Sequence, residues 1–185
     1  GMTAVKLSDM MKKRQLHVFE LFPPKTDRGM ANLSETIQQL CRYKPEYISV
    51  TYGAGGGNVG ANRQVCRMVR NAGTVPVTHF TVIRNTKQGI REQLETYLKE
   101  GVDHILALRG DFPRGETSTG GDFNYATDLV KFIRDEFGEQ FEIAVAGSPE
   151  GHISCRSPDR SDVHPAPDHI RMPIQSGVQE LLPSV

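Results

Sequence analysis

Apolar runs and amphipathic stretches alternate along the chain. Five short apolar runs have the length and residue types of buried strands, and their first residues are 28 to 37 positions apart. They are HVFELF from position 17, YISVTYGA from 47, VPVTHFTV from 75, HILALRGD from 104 and FEIAVAG from 141. The pattern predicts five strands at a near-regular spacing.

The stretches between these runs repeat apolar residues every three or four positions, which is the spacing of one helical face. Met30, Leu33 and Ile37 follow this spacing after the first run. Gly101 and Gly138 close two of the later stretches, at positions where a helix often ends. Helices that alternate with nearly continuous apolar strands predict a parallel sheet that is covered on both faces.

Two architectures are built from such units, an open doubly wound sheet and a closed (β/α)8 barrel. The open sheet usually carries G-x-G-x-x-G after its first strand, whereas the first turn here reads PPKTDRG. We therefore predict an α/β fold of the (β/α)8 TIM-barrel type. A full barrel takes roughly 250 residues and only about five βα units fit here, so residues 1–152 are expected to form an incomplete barrel.

Residues 153–185 break the pattern. They contain prolines at 158, 165, 167, 173 and 183 and no run of four apolar residues, which predicts an irregular, proline-rich tail. A change of reading frame, an alternative exon and a genuine extension that covers the sheet edge are three alternative origins of this tail. Five strands of a barrel leave an open edge that invites pairing with another chain, so we expect a homo-oligomer.

Composition narrows the choice of partner. The 185 residues carry 22 Lys and Arg against 22 Asp and Glu, so net charge gives no attraction to nucleic acid or to a membrane surface. We expect a small-molecule partner. Three cysteines without C-x-x-C spacing and six scattered histidines predict neither a disulfide framework nor a metal site. The apolar runs fall short of the roughly 20 residues of a membrane span, and we expect a cytoplasmic protein.

An acid interrupts the first predicted strand. Glu20 has apolar neighbours on both sides in HVFELF, which favours burial over the alternative of a solvated sheet face. Burial favours the neutral form of a carboxyl group, which is how an acid becomes a usable proton donor near neutral pH.

Polar residues also collect where the predicted strands end, which is where a parallel barrel keeps its ligand-binding groups. Thr51 precedes the glycine-rich GAGGG, His79 lies in the third strand, and Arg109 and Asp111 end the fourth. Each has a structural alternative. The histidine would be a hydrogen-bonded core residue, the arginine and aspartate an ion pair, and the glycines a flexible loop.

Six segments in this order resemble the methylenetetrahydrofolate reductase family. They are FELFPPK at 19–25, SVTYGAGG at 49–56, THFT at 78–81, ALRGD at 107–111, YATDLV at 125–130 and VAGSPEGH at 145–152. The resemblance covers about residues 10–152. It implies a (β/α)8 barrel that carries FAD at the carboxyl ends of its strands.

The resemblance also implies an activity in one-carbon metabolism and methionine biosynthesis. NADH or NADPH would reduce the flavin, and 5,10-methylenetetrahydrofolate would then receive the hydride and become 5-methyltetrahydrofolate. Glu20 matches the family's acid, which helps to protonate the bridging nitrogen of the folate, and Asp111 matches the aspartate that orients the folate and adjusts flavin electrostatics. The implied FAD contacts are Thr51, His79, Arg109, Gly110, Asp111, Tyr125, Ala126 and His152.

The sequence departs from the family in two places. Ser148 stands where the family commonly has a tyrosine, and the similarity is expected to end after His152. Two further functions therefore remain open. The chain would be a truncated, catalytically incompetent fragment that serves at most as a flavin-, folate- or partner-binding module, or a folate-binding methyltransferase barrel without flavin. The choice between NADH and NADPH also remains open.

Overall fold

A computed structural model describes residues 16–52, 59–112, 114–146 and 164–184. The strands are β1 (Val18–Leu21), β2 (Tyr47–Val50), β3 (Pro76–Thr81), β4 (His104–Leu108), β5 (Glu142–Val145), β6 (His164–Pro165), β7 (His169–Gln175) and β8 (Val178–Pro183). The helices are α1 (Asp27–Cys41), α2 (Val59–Asn71), α3 (Lys87–Lys99) and α4 (Ala126–Phe137). The α/β class and the five predicted strands are confirmed, while closure into a (β/α)8 barrel stays a prediction.

The described residues divide into two compact units. The first contains residues 16–51, 60–77 and 167–184, and the second contains residue 52, residue 59 and residues 78–112, 114–146 and 164–166. Strands β1, β2, β7 and β8 belong to the first unit, and β4, β5 and β6 belong to the second. Strand β3 begins in the first unit and continues in the second. The predicted boundary after residue 152 lies outside the described residues.

Strand β1 is the central strand of the first unit. It runs parallel to β2, with Leu21 opposite Val50, and antiparallel to β8, with Phe19 opposite Glu180. Strand β7 pairs with the other side of β8. One side of β1 is therefore covered by a strand of the same chain, in agreement with the alternative that residues 153–185 cover a sheet edge. The homo-oligomer stays a prediction.

The prediction of an irregular tail is wrong for residues 164–183. Strands β7 and β8 form an antiparallel hairpin, which we call the C-terminal hairpin, and Gly177 in its turn has a φ of +76°, a conformation that glycine adopts without a Cβ clash. The pairing is irregular between Pro173 and Gln175. Proline is tolerated at such irregularities and in edge strands because it has no N–H to donate to the sheet. The prolines therefore do not prevent strand formation here.

Threonine side chains cap the first turn of two helices, α1 and α3. The Thr26 hydroxyl accepts a hydrogen bond from the Gly29 N–H at 3.0 Å at the start of α1, and Thr86 does the same for Gly89 at the start of α3. Threonine at this position satisfies an amide that has no partner inside the helix. At the far end of α4, Gly138 has a φ of +60° and ends the helix as the sequence predicts.

Parallel pairing in the second unit aligns the carboxyl ends of three strands. Thr81 at the end of β3 lies opposite Leu108 at the end of β4, and Ala107 lies opposite Val145 at the end of β5. The loops that follow these strands therefore start at the same edge of the sheet. In the parts of the chain that the structure describes, no helix is long and apolar enough to cross a membrane.

Candidate functional site

Glu20 is a buried carboxylate in β1. Only 3% of the residue is exposed, and its neighbours Phe19 and Leu21 are fully buried. The prediction of burial is confirmed, and the alternative of a solvated face is excluded. A buried acid of this kind needs hydrogen-bond partners, because an unpaired charge in an apolar setting is costly.

The C-terminal hairpin supplies partners for this carboxylate. Oε2 of Glu20 accepts hydrogen bonds from Nε2 of Gln179 at 2.5 Å and from Nε of Arg171 at 3.3 Å. Gln179 lies directly opposite Glu20 in the β1–β8 register, and Arg171 reaches the same oxygen from β7. Sequence reasoning missed both residues because they lie in the segment that we expected to be irregular.

The environment of Glu20 also affects a neighbouring tyrosine. Burial raises the pKa of Tyr47, and the negative charges of Glu46 and Glu20 raise it further. Tyr47 is therefore a neutral phenol throughout the physiological pH range.

A second buried acid lies on the other face of the same ladder. Nδ1 of His17 is 2.9 Å from Oε2 of Glu180, and these side chains are 4% and 0% exposed. The ring of His17 stacks on Phe19, with 6.0 Å between the centroids and an interplanar angle of 4°. Glu180 sits within the apolar VQELL, so it carries the same sequence signal that drew attention to Glu20.

Thr51 is held to the first unit through its backbone. Its N–H donates to the carbonyl of Leu21 at 3.0 Å, and its carbonyl accepts a hydrogen bond from Nδ2 of Asn62 at 2.9 Å. Asn62 is fully buried on α2, and sequence reasoning did not single it out. Glu20 lies in β1 and Thr51 directly follows β2, the strand that pairs with β1. Both residues belong to the first unit. The GAGGG segment that follows lies outside the described residues.

The second unit contains the predicted residues of strands β3 and β4. His79 is 7% exposed and Thr81 is 8% exposed. Oγ1 of Thr81 is buried and has no hydrogen-bond partner among the residues that the structure describes. Thr81 is therefore a candidate ligand-binding residue that the resemblance did not assign.

Gly110 packs against the end of β3. Its φ is +78°, and a Cβ atom built on it would lie 3.0 Å from Cγ1 of Ile83 and 3.2 Å from Cβ of Thr81. Contacts of this length require the neighbours to shift, so both the backbone angle and the packing favour glycine.

Arg109 and Asp111 flank this glycine and have different surroundings. The Arg109 guanidinium carbon lies 4.9 Å from the centroid of the Phe112 ring, a cation–π distance. Arg109 is half-buried, whereas Asp111 is exposed. The loop therefore offers one cation and one anion after β4.

Tyr125 and Ala126 lie at the start of α4. Tyr125 is 56% exposed and Ala126 is buried. Oδ2 of Asp128 accepts hydrogen bonds from the N–H groups of Asn124 at 3.2 Å and Tyr125 at 2.9 Å, which fixes this turn. The backbone N–H groups at the start of a helix favour anionic ligands.

Two of the predicted positions lie outside the described residues, namely His152 and Ser148. Across residues 16–52, 59–112, 114–146 and 164–184, no group of three or more His, Cys, Asp or Glu residues is arranged to hold a metal ion.

Comparison with known proteins places this arrangement in a family. The family model for methylenetetrahydrofolate reductase matches residues 6–171, which extends past the residue at which we expected the similarity to end. The "Methylenetetrahydrofolate reductase (NADH) 1" of Arabidopsis thaliana is 38% identical over 138 residues, which is 72% of this chain and 23% of the relative. The "5,10-methylenetetrahydrofolate reductase" of Salmonella typhimurium is 36% identical over 140 residues, which is 75% of this chain and 46% of the relative.

A fission-yeast relative extends the similarity further along the chain. The "Methylenetetrahydrofolate reductase 1" of Schizosaccharomyces pombe is 32% identical over 182 residues, which is 94% of this chain and 29% of the relative. The chain thus spans less than half the length of each of these three relatives. Because the family model matches most of the sequence, the chain belongs to the methylenetetrahydrofolate reductase family.

Proposed function

We propose that this chain carries the part of a flavoenzyme that reduces 5,10-methylenetetrahydrofolate to 5-methyltetrahydrofolate with NADH or NADPH. Family membership and the names of the relatives support the reaction. The observation that carries the proposal is the buried carboxylate of Glu20 in β1. The name of the Arabidopsis thaliana relative specifies NADH, so we take NADH as the first reductant to test.

We also propose that strands β1 to β5 and helices α1 to α4 are part of a (β/α)8 barrel. The alternation of strands and helices supports this architecture, and so does the parallel pairing within each unit. Ligand-binding groups of such a barrel collect at the carboxyl ends of the strands. Thr51 follows β2 and Arg109 follows β4, in agreement with that arrangement.

The residues of the second unit fit a cofactor with phosphate and hydrogen-bonding groups. The buried Thr81 hydroxyl offers a donor, Arg109 offers a cation, and Gly110 permits close approach of the backbone. FAD, when bound, would supply the hydride chemistry of the reaction. The residues proposed to hold it are Thr51, His79, Arg109, Gly110, Asp111, Tyr125, Ala126 and His152.

The proposed role of Glu20 is proton delivery. The reduction consumes one hydride and one proton, and the proton is needed at the bridging nitrogen so that the five-membered ring opens to an electrophilic iminium. The position of Glu20 in an apolar strand supports this role, because bulk water has little access to a carboxyl group that is 3% exposed. Asp111 is proposed to orient the folate and to adjust the electrostatic field around the cofactor.

A second candidate function is that of a binding module without turnover. Two observations favour it. The chain spans 23% to 46% of the relatives named above, and the Glu20 carboxylate is buried beneath donors from the C-terminal hairpin. Such a module would bind flavin, folate or a protein partner. A folate-binding methyltransferase barrel is a third alternative, which would need no flavin.

Flavin content and two half-reactions test these alternatives. The purified chain should be yellow or should take up added FAD, NADH should bleach the flavin without oxygen, and methylenetetrahydrofolate should restore its colour. The Glu20→Gln variant should keep reduction by NADH and lose recolouring by folate, because only the second step uses the proton. A colourless chain that takes up no FAD contradicts the flavoenzyme. A flavin that NADH reduces but folate does not reoxidise indicates the module.

A further inference from the structure

The C-terminal hairpin covers the acid on which the proposed reaction depends. Glu20 is 3% exposed, and the same carboxylate oxygen accepts hydrogen bonds from Gln179 and Arg171. A substrate atom that takes a proton from this carboxyl group must approach it to within about 3 Å. The hairpin side chains now occupy that position on Oε2.

The docking of the hairpin is specific. His17 and Glu180 pair on one face of the β1–β8 ladder, and Glu20 and Gln179 pair on the other. A shift of one residue in register would bring Glu180 opposite Glu20 and place two acids together, which is unfavourable. The two polar pairs therefore select one position of β8 beside β1.

The side chains that contact Glu20 are more exposed than the residues of β8 that pack in the core. The Arg171 side chain is 56% exposed, and Gln179 is half-buried. Glu180 is fully buried, and Val178 and Leu181 are buried beside it. Arg171 and Gln179 can therefore change rotamer while β8 stays paired with β1.

We propose that Arg171 and Gln179 form an intramolecular block of Glu20, so that a substrate reaches this carboxyl group only after the two side chains have been displaced. The inference rests on the proposed function only where it concerns folate reduction. The occupied carboxylate itself is a property of this chain, and it can be tested without any cofactor.

The test uses the full chain with Arg171→Ala, Gln179→Ala and the double variant. Gln175→Ala is the matched control, because Gln175 lies on the same hairpin and donates to the Thr36 hydroxyl at 3.1 Å, away from Glu20. A water-soluble carbodiimide with an amine labels accessible carboxyl groups, and mass spectrometry measures labelling at Glu20. We expect several-fold more labelling in the double variant than in the wild type or in Gln175→Ala, with circular dichroism unchanged.

Equal labelling of Glu20 in the wild type and in the folded variants would overturn the block. Should the double variant fail to fold, Arg171→Ala alone decides the question, because this exposed side chain on β7 can be removed without unpacking the core. Its labelling must also exceed that of the control.

A second measurement separates this inference from the proposed function. With FAD bound, flavin reduction by NADH should be equal in all five proteins, and reoxidation by methylenetetrahydrofolate should be several-fold faster in the double variant. Reoxidation that slows while labelling rises would show that the two side chains position Glu20 and do not block it, which overturns the inference. Absence of flavin reduction in every protein contradicts the proposed function, and the labelling result still decides the block.

Discussion

His17 and Glu180 form a buried pair although 163 positions separate them in the chain. Their atoms are 2.9 Å apart, and neither side chain is more than 4% exposed. The pair joins the start of β1 to β8, so the first unit is built from segments that are distant in sequence. The sequence around either residue therefore does not predict which residue it pairs with.

The Glu180→Ala variant should lose much of the stability of the first unit. Removal of the Glu180 carboxylate leaves the buried Nδ1 of His17 without this hydrogen-bond partner, which typically costs about 1–3 kcal/mol. Urea unfolding of the purified chain measures this loss. The control is Glu116→Ala, since the Arg84–Glu116 pair at 2.8 Å is exposed, and such pairs contribute about 0–1 kcal/mol. Similar losses in both variants would show that the His17–Glu180 pair adds no more than a surface pair.

Gly110→Ala should be more harmful than Gly115→Ala. Both glycines have positive φ angles, +78° and +81°, so alanine at either position carries a backbone strain of about 1–2 kcal/mol. Of these two glycines only Gly110 has close neighbours, because a Cβ atom at Gly115 meets no atom of the described residues within 4 Å. We expect a greater loss of unfolding free energy and weaker FAD uptake for Gly110→Ala. Equal effects would mean that packing against Thr81 and Ile83 is unimportant.

Alkaline pH should destabilise the second unit through Tyr52. Burial raises the pKa of Tyr52, and hydrogen bonds with Asn85 and Gln93 act in the opposite direction. Because the folded-state pKa is above the unfolded value of about 10, the stability from the neutral phenol is complete below that value. This stability is lost as the pH rises through the folded-state pKa. Phenolate absorbance should show Tyr47 and Tyr52 titrating later than a free tyrosine, and urea unfolding should show the loss above about pH 10.

Tyr52→Phe is the matched control for this titration. It removes one of the two late-titrating tyrosines and the hydrogen bond from the Tyr52 hydroxyl to Oε1 of Gln93, which is 2.7 Å long. We expect a loss of about 1 kcal/mol at neutral pH and a weaker alkaline decline. A decline as steep as that of the wild type would assign the effect to another group.

Leu94→Ala should destabilise the second unit by about 2–5 kcal/mol, since Leu94 is fully buried on α3 and its truncation leaves a cavity. Leu98 is one helical turn further and only half-buried, so Leu98→Ala should cost clearly less. Thermal unfolding of the two variants compares them directly. A larger shift for Leu98 would contradict the orientation of α3 described here.

Local patterns predicted the elements whose faces repeat regularly. The buried residues Met30, Leu33 and Ile37 of α1 agree with the predicted helical face. In helix α3, Tyr97 is fully buried and Leu98 is only half-buried. The Tyr97 ring meets Phe80 edge-on with 5.3 Å between the centroids, a contact between distant segments that periodicity does not reveal.

The sequence of the C-terminal hairpin contains a local strand pattern, although its prolines led us to predict an irregular segment. Ile170, Met172 and Ile174 alternate with other residues, and Ser176–Gly177 is a turn sequence. Burial of Glu20 could be predicted because its neighbours are apolar. Its partners could not, because they come close to Glu20 only when β8 pairs with β1 and β7 pairs with β8.

The placement of β8 beside β1 has a consequence for the order of folding. Strands β3, β4 and β5 pair in sequence order, so the second unit closes comparatively short loops. The first unit is complete only after the C-terminal hairpin, which is synthesised long after β1, has been made. Contacts between residues so far apart in sequence form slowly. During synthesis, the backbone groups on one side of β1 therefore lack their partner strand until β8 has been made. A chaperone would be of most use in this interval.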